Sequence, residues 1–528
     1  MNERKRVWLT MSAVLVGIIG GMLLVLLLHE PLSVGASPAA NTRYVAVTGN
    51  DSSNDCTISA APCRTVQYAV DESDPDDEIR VATGVYTDIH ARDGMTQVVY
   101  ISKTVTIRGG YSSDFSTWNP ATYPTTLDAQ QQGRVVSIVG SSVGSVLDNF
   151  TITGGDATGV TNNCPSAGGT SQGCGGGVFI YRAHPTIENN IVIGNVAAVS
   201  VGGNSASGGG LCLSWATGSV ITGNLIISNT ASLGDRGMGG GIHLYYPYDV
   251  LVGSNQILSN TATTHSSLNG WGGGIAIGGG GGTATIQDNW FEGNRTNSGG
   301  GGEGAGIYNW YSCSHFAGNR VVGNYGQQAV YLGFYDLGRF ESNQVVDNNT
   351  ATGVKVVNGS TSGSTLVNNV IAHSGDRTLA LSAYSGAPLT VTLIHNTLIG
   401  ADTGSGVTIE TGYVTLLMTN TIVANHTWGI TNTVPASSTV AADHTLFWVN
   451  NQDGILGTNP IYGAPAFIDL GEGGYHLGPG SAAIDAGVDT GEVSDIDGDP
   501  RPFGSAPDIG ADEAQWWRVF LPLALRNY

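Results

Sequence analysis

Apolar and polar positions along this chain come in short runs that return on a fixed frame. An apolar-x-x-Asn unit ends at Asn149, Asn190, Asn224, Asn255, Asn289, Asn319, Asn343, Asn369, Asn396 and Asn420. In nine of these ten an apolar residue follows two positions after the Asn, and in seven a second Asn follows five positions after, as in IENNIVIGN (187–195). The successive gaps are 41, 34, 31, 34, 30, 24, 26, 27 and 24 residues. A repeat of that length is a supersecondary unit that buries its apolar face only by stacking on its neighbours, so the pattern predicts a solenoid. The runs are short, rich in Val, Ile and Leu, and broken by Gly, Asn and Ser, which excludes a helical repeat and leaves stacked strands. A second anchor recurs where a Gly-rich turn enters an apolar strand, at GGGVFI (175–180), GGGLCL (208–213), GGGIHL (239–244), GGGIAI (272–277) and GAGIYN (304–309). Each coil therefore carries at least two strands. Gly supplies the positive φ of the corners, and Asn tolerates it while offering an amide to the equivalent amide one coil away.

These runs resemble the right-handed parallel β-helix of the pectin-lyase-like superfamily over roughly residues 41–450, which implies an all-β solenoid. Before the coils, CRTVQYAVDESDPDDEIRVATGVYTD (63–88) is similar to the capping helix and first strand that open many secreted β-helix proteins. Its Val66, Ala69 and Val70 make a small apolar face that could plug the open end of the core. After the coils, YHLGPGSAAIDAG (475–487) and DIDGDPRPFGSAPDIGADE (495–513) resemble the closing segment of the choice-of-anchor Q type of bacterial surface protein. The expected organisation is a signal over 1–36, a cap with the first strands over 37–110, β-helix coils over 111–450, a closing segment over 451–513 and an apolar, basic tail over 514–528.

Composition narrows the partners. The chain has 79 Gly and only 12% charged residues, against about 25% in an average protein, while 41% are hydrophobic, so a long core can be buried. A net charge of −21 with three Lys leaves no basic stripe for a phosphate backbone, which excludes nucleic acid. Arg4, Lys5 and Arg6 precede an apolar run from Val7 to Leu28, and Val34-Gly35-Ala36 supplies a small-residue cleavage site. The protein is thus expected to be secreted or at the cell surface, with the signal cut after Ala36. An uncleaved anchor is the alternative, and it would give the only membrane contact. The tail WWRVFLPLALRNY (516–528) is too short to span a bilayer and reads either as a strand docked on the last coil or as an attachment segment. Cys56 with Cys63 and Cys164 with Cys174 bracket short loops and are candidate disulfides of an oxidising compartment. Cys212 and Cys313 lie in different coils and are expected to stay thiols, and no Cys/His spacing suggests zinc.

Alignment of the Gly-entered strands places Phe179 and Tyr181, Trp215, His243 and Tyr245, Tyr308 and Trp310, and Tyr331 and Phe334 at similar positions. Strand alternation sends Ile242 and Leu244 inward and His243 and Tyr245 outward. The expected result is a column of exposed rings suited to stacking on sugars, with Tyr245, Tyr308, Trp310, Tyr331 and Phe334 as ligand-binding candidates. Rings that merely shield a long sheet are the plainer alternative. His243 with Asp235 and Arg236 in the preceding turn is a weak candidate for acid–base chemistry. Neither the Ca²⁺-and-base pattern of the β-helix pectate lyases nor the clustered Asp of the polygalacturonases is present. Asp249 and Asp336 stand three coils apart, about 14 Å, too far for a glycosidase pair. Arg236, Arg320, Arg339 and Lys355 are lyase-base candidates without a partner motif. Asp495, Asp497 and Asp499 alternate around Gly498 and are the candidate Ca²⁺ position, with charge neutralisation by Arg501 as the alternative. The leading expectation is a surface-associated binder of an extracellular polysaccharide or cell-envelope component. A polysaccharide lyase or glycoside hydrolase and a structural envelope rod are the alternatives, and the fold hosts all three.

Overall fold

Each apolar run forms a strand whose hydrogen-bond partners lie one repeat away in the chain. Ile187 pairs in parallel with Leu147 on one side and Ile221 on the other, and Val192 pairs with Ile152 and Ile226. Repetition of that register gives three long sheets, each of 14 strands, so every coil contributes one strand to each sheet. The fold is a right-handed parallel β-helix. This computed structural model describes residues 40–515 except 161–163, 165–172, 200–201, 203–204, 336–337, 359–362, 385–386, 469 and 471–472. The expected signal, the C-terminal tail and Asp336 lie outside the described residues.

Alternation along each strand sends aliphatic residues inward, where they stack into one continuous core. Ile187, Ile221, Val252, Ile286, Phe316 and Phe340 line the first sheet, and Val192, Ile226, Ile257, Phe291, Val321 and Val345 line the second. The third sheet is entered through the Gly-rich turns and contributes pairs such as Ile242 with Leu244 and Ile275 with Ile277. The helix Val66–Glu72 covers the first coils with Val66, Ala69 and Val70 buried, and the Thr65 hydroxyl accepts from the Tyr68 N–H at its start. Beside it, Asp77 is buried in a pair with Arg43 at 2.7 Å.

The Asn frame is a hydrogen-bonded ladder. From Asn190 to Asn369 each Nδ2 and each backbone N–H donates to Oδ1 of the Asn one coil on, at 2.9–3.2 Å. Each Nδ2 also donates back to a core carbonyl of the previous coil, as Asn255 does to Ile221. The Asn residues five positions on form a second ladder, from Asn195 through Asn229, Asn260, Asn294 and Asn324 to Asn348, which ends on the Ser374 hydroxyl. The residue before each Asn of the first ladder turns the corner at positive φ, from 51° at Ser342 to 65° at Gly223.

Two members of the sequence frame are out of register by one residue. Asn149 and Asn420 occupy the positive-φ corner, at 62° and 50°. Phe150 takes the ladder position, its N–H donating to Asn190 Oδ1, and Thr421 pairs opposite Asn396 by the register of the flanking strands. The inward residues of those coils are Leu147 and, near the end, Leu416 and Met418, so the face of each strand fixed the slip.

The closing segment adds the strands Gln452–Gly454 and Ile461–Tyr462 to the stack, and beyond them it leaves the coil. It lies along the outer face of the second sheet, where Tyr475, Leu477, Ala483, Ile509 and Ala511 pack on Val346, Val370, Ile399, Ile422 and Leu446. The displaced Asn420 holds it there, donating to and accepting from the Val488 backbone. Asn368 Nδ2 donates to the Ser494 carbonyl at 2.8 Å. Within the segment Arg501 pairs with Glu513, both fully buried, and donates to the carbonyls of Asp508, Gly510 and Ala511.

The coils that precede Asn319 are longer, and the extra residues build a second layer of two three-stranded sheets. One contains Val196–Ala198, Thr230–Ser232 and Thr261–Thr263; the other contains Ser205–Ser207, Arg236–Met238 and Gly270–Trp271. The layer stops at Trp271, which bridges to Glu303 on the next coil.

Asn255→Ala removes the donors to the Ile221 and Gly253 carbonyls and the acceptor of the Asn224 N–H. It should lower stability by at least about 2 kcal/mol, because buried polar groups then stay unsatisfied. The urea midpoint and the hydrogen exchange of the Asn224 amide measure this, and an unchanged midpoint with unchanged exchange would show that the ladder contributes nothing.

Candidate functional site

The outward side chains of the third sheet form columns set by its register. His243 pairs with Ala276 and Ala276 with Tyr308; Tyr245 pairs with Gly278 and Gly278 with Trp310. Along both columns the coil of residues 272–282 carries Ala or Gly where the coils on either side carry rings. The corner behaves likewise, since Tyr246 precedes Gly279 and Tyr311 follows it. A Cβ atom at Gly278 would meet nothing within 4 Å. One coil of small residues therefore leaves a slot between two ringed coils, whose backbones stand about 9.6 Å apart, twice the strand spacing.

The slot encloses about 470 Å³. Ala276 and Gly278 form its floor, His243, Tyr245 and Tyr246 one wall, and Tyr308, Trp310 and Tyr311 the other. Met238 and Trp271, at the edge of the second layer, close one side. The walls are braced from outside. Trp215 lies flat against Tyr246, with centroids 4.3 Å apart and planes within 1°, and Tyr245 meets Tyr246 edge-on at 4.8 Å. Tyr331 stacks on Tyr308 at 5.1 Å, and Trp310 meets Tyr311 at 4.7 Å.

The structure redistributes the ligand-binding candidates. Tyr245, Tyr308 and Trp310 are half-buried on the slot walls, but Tyr331 is only 2% exposed. It acts as backing for Tyr308 and donates a hydrogen bond to Tyr384, and burial raises its phenol far above the ordinary range. Phe334 is turned into the core against Phe316 at 6.2 Å. Alternation along its own strand sends Val330, Leu332 and Phe334 inward and Tyr331 and Gly333 outward, so Gly333, paired with Trp310, takes the outward place. Phe179 points away from the core but lies buried in a cluster with Met95, Cys174 and Cys212, with the Arg134 guanidinium 4.2 Å above its ring.

The acid–base candidates do not assemble. His243 faces outward but is covered, and burial alone pushes its pKa down to about 4, so it is neutral near pH 7. Its Nδ1 is buried without a hydrogen-bond partner, which costs about 1–3 kcal/mol. Asp235 is buried in a turn, its N–H bonded to the Ser232 hydroxyl and its carbonyl to Thr263, while Arg236 is exposed. The other lyase-base candidates are engaged: Arg320 donates to Gln344 at 2.6 Å, Arg339 pairs with Glu341 and Glu492, and Lys355 pairs with Glu410 at 2.9 Å.

Sequence reasoning missed Glu303, Trp271, Tyr246 and the small-residue floor. The Glu303 carboxyl is raised by burial, although Trp271 hydrogen-bonds to it. Glu410 is the nearest coil-borne counterpart along the sheet with the opposite tendency, lowered by the Ser382 hydroxyl, Lys355 and Arg377 against the opposing effect of its own burial. Their coils are four rungs apart, about 19 Å along the stack, and the Lys355 ammonium lowers the pKa of both carboxyls. The signal for the floor was present in GGGIAIGGGGG (272–282), the coil whose outward positions lack rings.

The closing segment holds the candidate metal ligands. Asp495, Asp497 and Asp499 lie within reach of one ion, as do His476, Asp497 and Asp512. Asp495 is already engaged, accepting from the N–H groups of Asp497, Asp499 and Glu513, and Asp497 bonds to His476 Nε2 at 2.7 Å. Arg501, the alternative neutralising charge for this loop, forms its ion pair with Glu513 and also acts electrostatically on Asp495. Disulfides join Cys56 to Cys63 and Cys164 to Cys174, and Cys212 is a buried thiol pushed up to about 12 by burial.

The family model described as a right handed beta helix region matches residues 136–325. No curated protein matches the chain in sequence. Among solved structures, pectate lyase Pel9A is similar at 15% identity over 90% of this chain and 96% of its own, with a TM-score of 0.34. XylC in complex with xylose is similar at 11% identity over 81% of this chain and 87% of its own, with a TM-score of 0.37.

Because the His243 pKa in the folded protein lies below its ordinary 6.5, its contribution to stability is present above pH 6.5 and lost as pH falls through about 4. His243→Gln should flatten the acid-side decline of stability between those values. Equal slopes of unfolding midpoint against pH in the two proteins would show that the imidazole is not buried neutral.

Proposed function

We propose that this is an exported, surface-associated β-helix protein that binds a glycan by admitting one sugar ring between the ringed coils of the third sheet. The single observation carrying this reading is the interruption of an aromatic column at Ala276 and Gly278, which leaves ring faces on either side of an open floor. Two carbon–carbon contacts at about 3.5–4 Å hold a flat ring in about 7–8 Å, and a puckered saturated ring needs more, closer to the gap between two coils. Aromatic walls gain from such a ring by apolar contact with its C–H faces, while its hydroxyls stay at the rim.

Export is supported by the basic-then-apolar start of the chain and by the two disulfides, which suit an oxidising compartment. Surface association rests on the resemblance of residues 475–513 to the closing segment of anchored bacterial surface proteins. The binding reading is favoured over a lyase or hydrolase because the engaged cations and separated carboxyls supply no acid–base pair at the slot.

The full-length protein should be retained on an insoluble polysaccharide from a panel of acidic and neutral polymers without releasing reducing ends or unsaturated product. Trp310→Ala and Tyr308→Ala should each weaken retention at least about tenfold, as expected for loss of a stacking ring. Gly278→Phe, which fills the slot at a position without positive φ, should abolish it while leaving the circular dichroism unchanged. Product formation from any polymer would replace this reading with an enzymatic one, and no retention on any polymer would favour the envelope rod.

A further inference from the structure

The charges around the slot restrict the chemistry of its occupant. Among the described residues, no Lys or Arg lines it. Arg236, exposed two residues before Met238, lies outside the lining. Further along the same sheet Lys355 and Arg377 both face Glu410, at 2.9 and 3.4 Å, so these cations are satisfied within the protein. The covered imidazole of His243 lines the slot with the tyrosine phenols, and outside the lining the Glu303 carboxyl bonds to Trp271 and is acted on by the Lys355 ammonium. The chain as a whole carries a net charge of −21.

A uronate or sulfated sugar entering this slot would leave an anion in a low-dielectric, aromatic-walled site with no cation in its described lining. Approach of a polyanion would also be opposed by the field of an acidic protein. A neutral ring meets neither cost and gains the full stacking contact.

We infer that the slot selects an uncharged glycan, and that the rings at Tyr245 and Trp310 and the cation-free lining together reject acidic sugars. The inference rests on the glycan-binding reading above and names its ligand class.

The test uses the full-length protein on matched pairs of insoluble polymers, each an uncharged glycan and its uronic counterpart, such as mannan with polymannuronate and galactan with polygalacturonate, at 0.05 and about 0.5 M salt, a range over which screening removes exposed charge–charge attraction. The expected result is retention on an uncharged member, changed less than twofold by salt and reduced at least tenfold in Trp310→Ala and Gly278→Phe. Equal or stronger retention of a uronic member overturns the inference, and if the same two variants abolish that retention the binding site itself stands. Retention on no polymer overturns the glycan reading and the inference with it. Because Gly278→Phe adds a side chain into open space, its loss of binding with an unchanged unfolding midpoint separates occupancy of the slot from damage to the fold.

Discussion

A primary amide has two N–H donors and an oxygen with two lone pairs, so an Asn buried at the same place in every coil can satisfy the coil before it and the coil after it together. Here Nδ2 reaches a carbonyl of the previous coil and Oδ1 of the next Asn, and Oδ1 takes the backbone N–H of its predecessor. The corners of a β-helix expose backbone polar groups that no strand pairing can reach, and burying them unpaired would cost more than the fold's margin allows. Two ladders of this kind hold the short second-sheet strands between them. The stacking of the aliphatic core depends on that register, because a slip of one residue would turn each inward side chain outward.

Strict stacking has a consequence for the surface. Side chains at equivalent positions lie one strand spacing apart, so surface features are columns, and replacing rings by small residues in a single coil cuts a slot of defined width. The Gly-rich coil of residues 272–282 does this, and the Trp215–Tyr246 stack behind the wall keeps it from collapsing into the gap. The second layer ends at the same place, so Met238 and Trp271 border the slot on one side while shorter coils leave the other end open. The small residues and the end of the layer are thus two parts of one step in the surface.

The closing segment shows the same economy of backbone groups. Where the ladder ends, Asn420 turns its amide from the next coil to the backbone of Val488, and the segment is knit by the buried Arg501–Glu513 pair with three further carbonyls on the guanidinium. A buried guanidinium is tolerable only with such a counter-charge and carbonyls, which here engage Nη1 and Nη2 and leave Nε without a partner. Removing water from the outer face of the second sheet then depends on the apolar residues Tyr475, Leu477 and Ile509.

The sequence by itself determined the solenoid, its coil boundaries from Asn190 to Asn396, the inward and outward faces of the strands, and the existence of an outward aromatic column, because each of these is a local periodicity repeated many times. It did not determine the ends of the ladder: Asn149 and Asn420 match the spacing, yet the inward demands of Leu147 and Met418 move them onto the corner. Nor did it determine which rings are available. Only the tertiary structure buried His243 and backed Tyr308 with Tyr331, whereas the inward turn of Phe334 follows from its alternation with Val330 and Leu332. Burial and cavity shape arise from residues brought together between coils and layers, and a pattern read along one strand contains the direction of a side chain but not what lies above it.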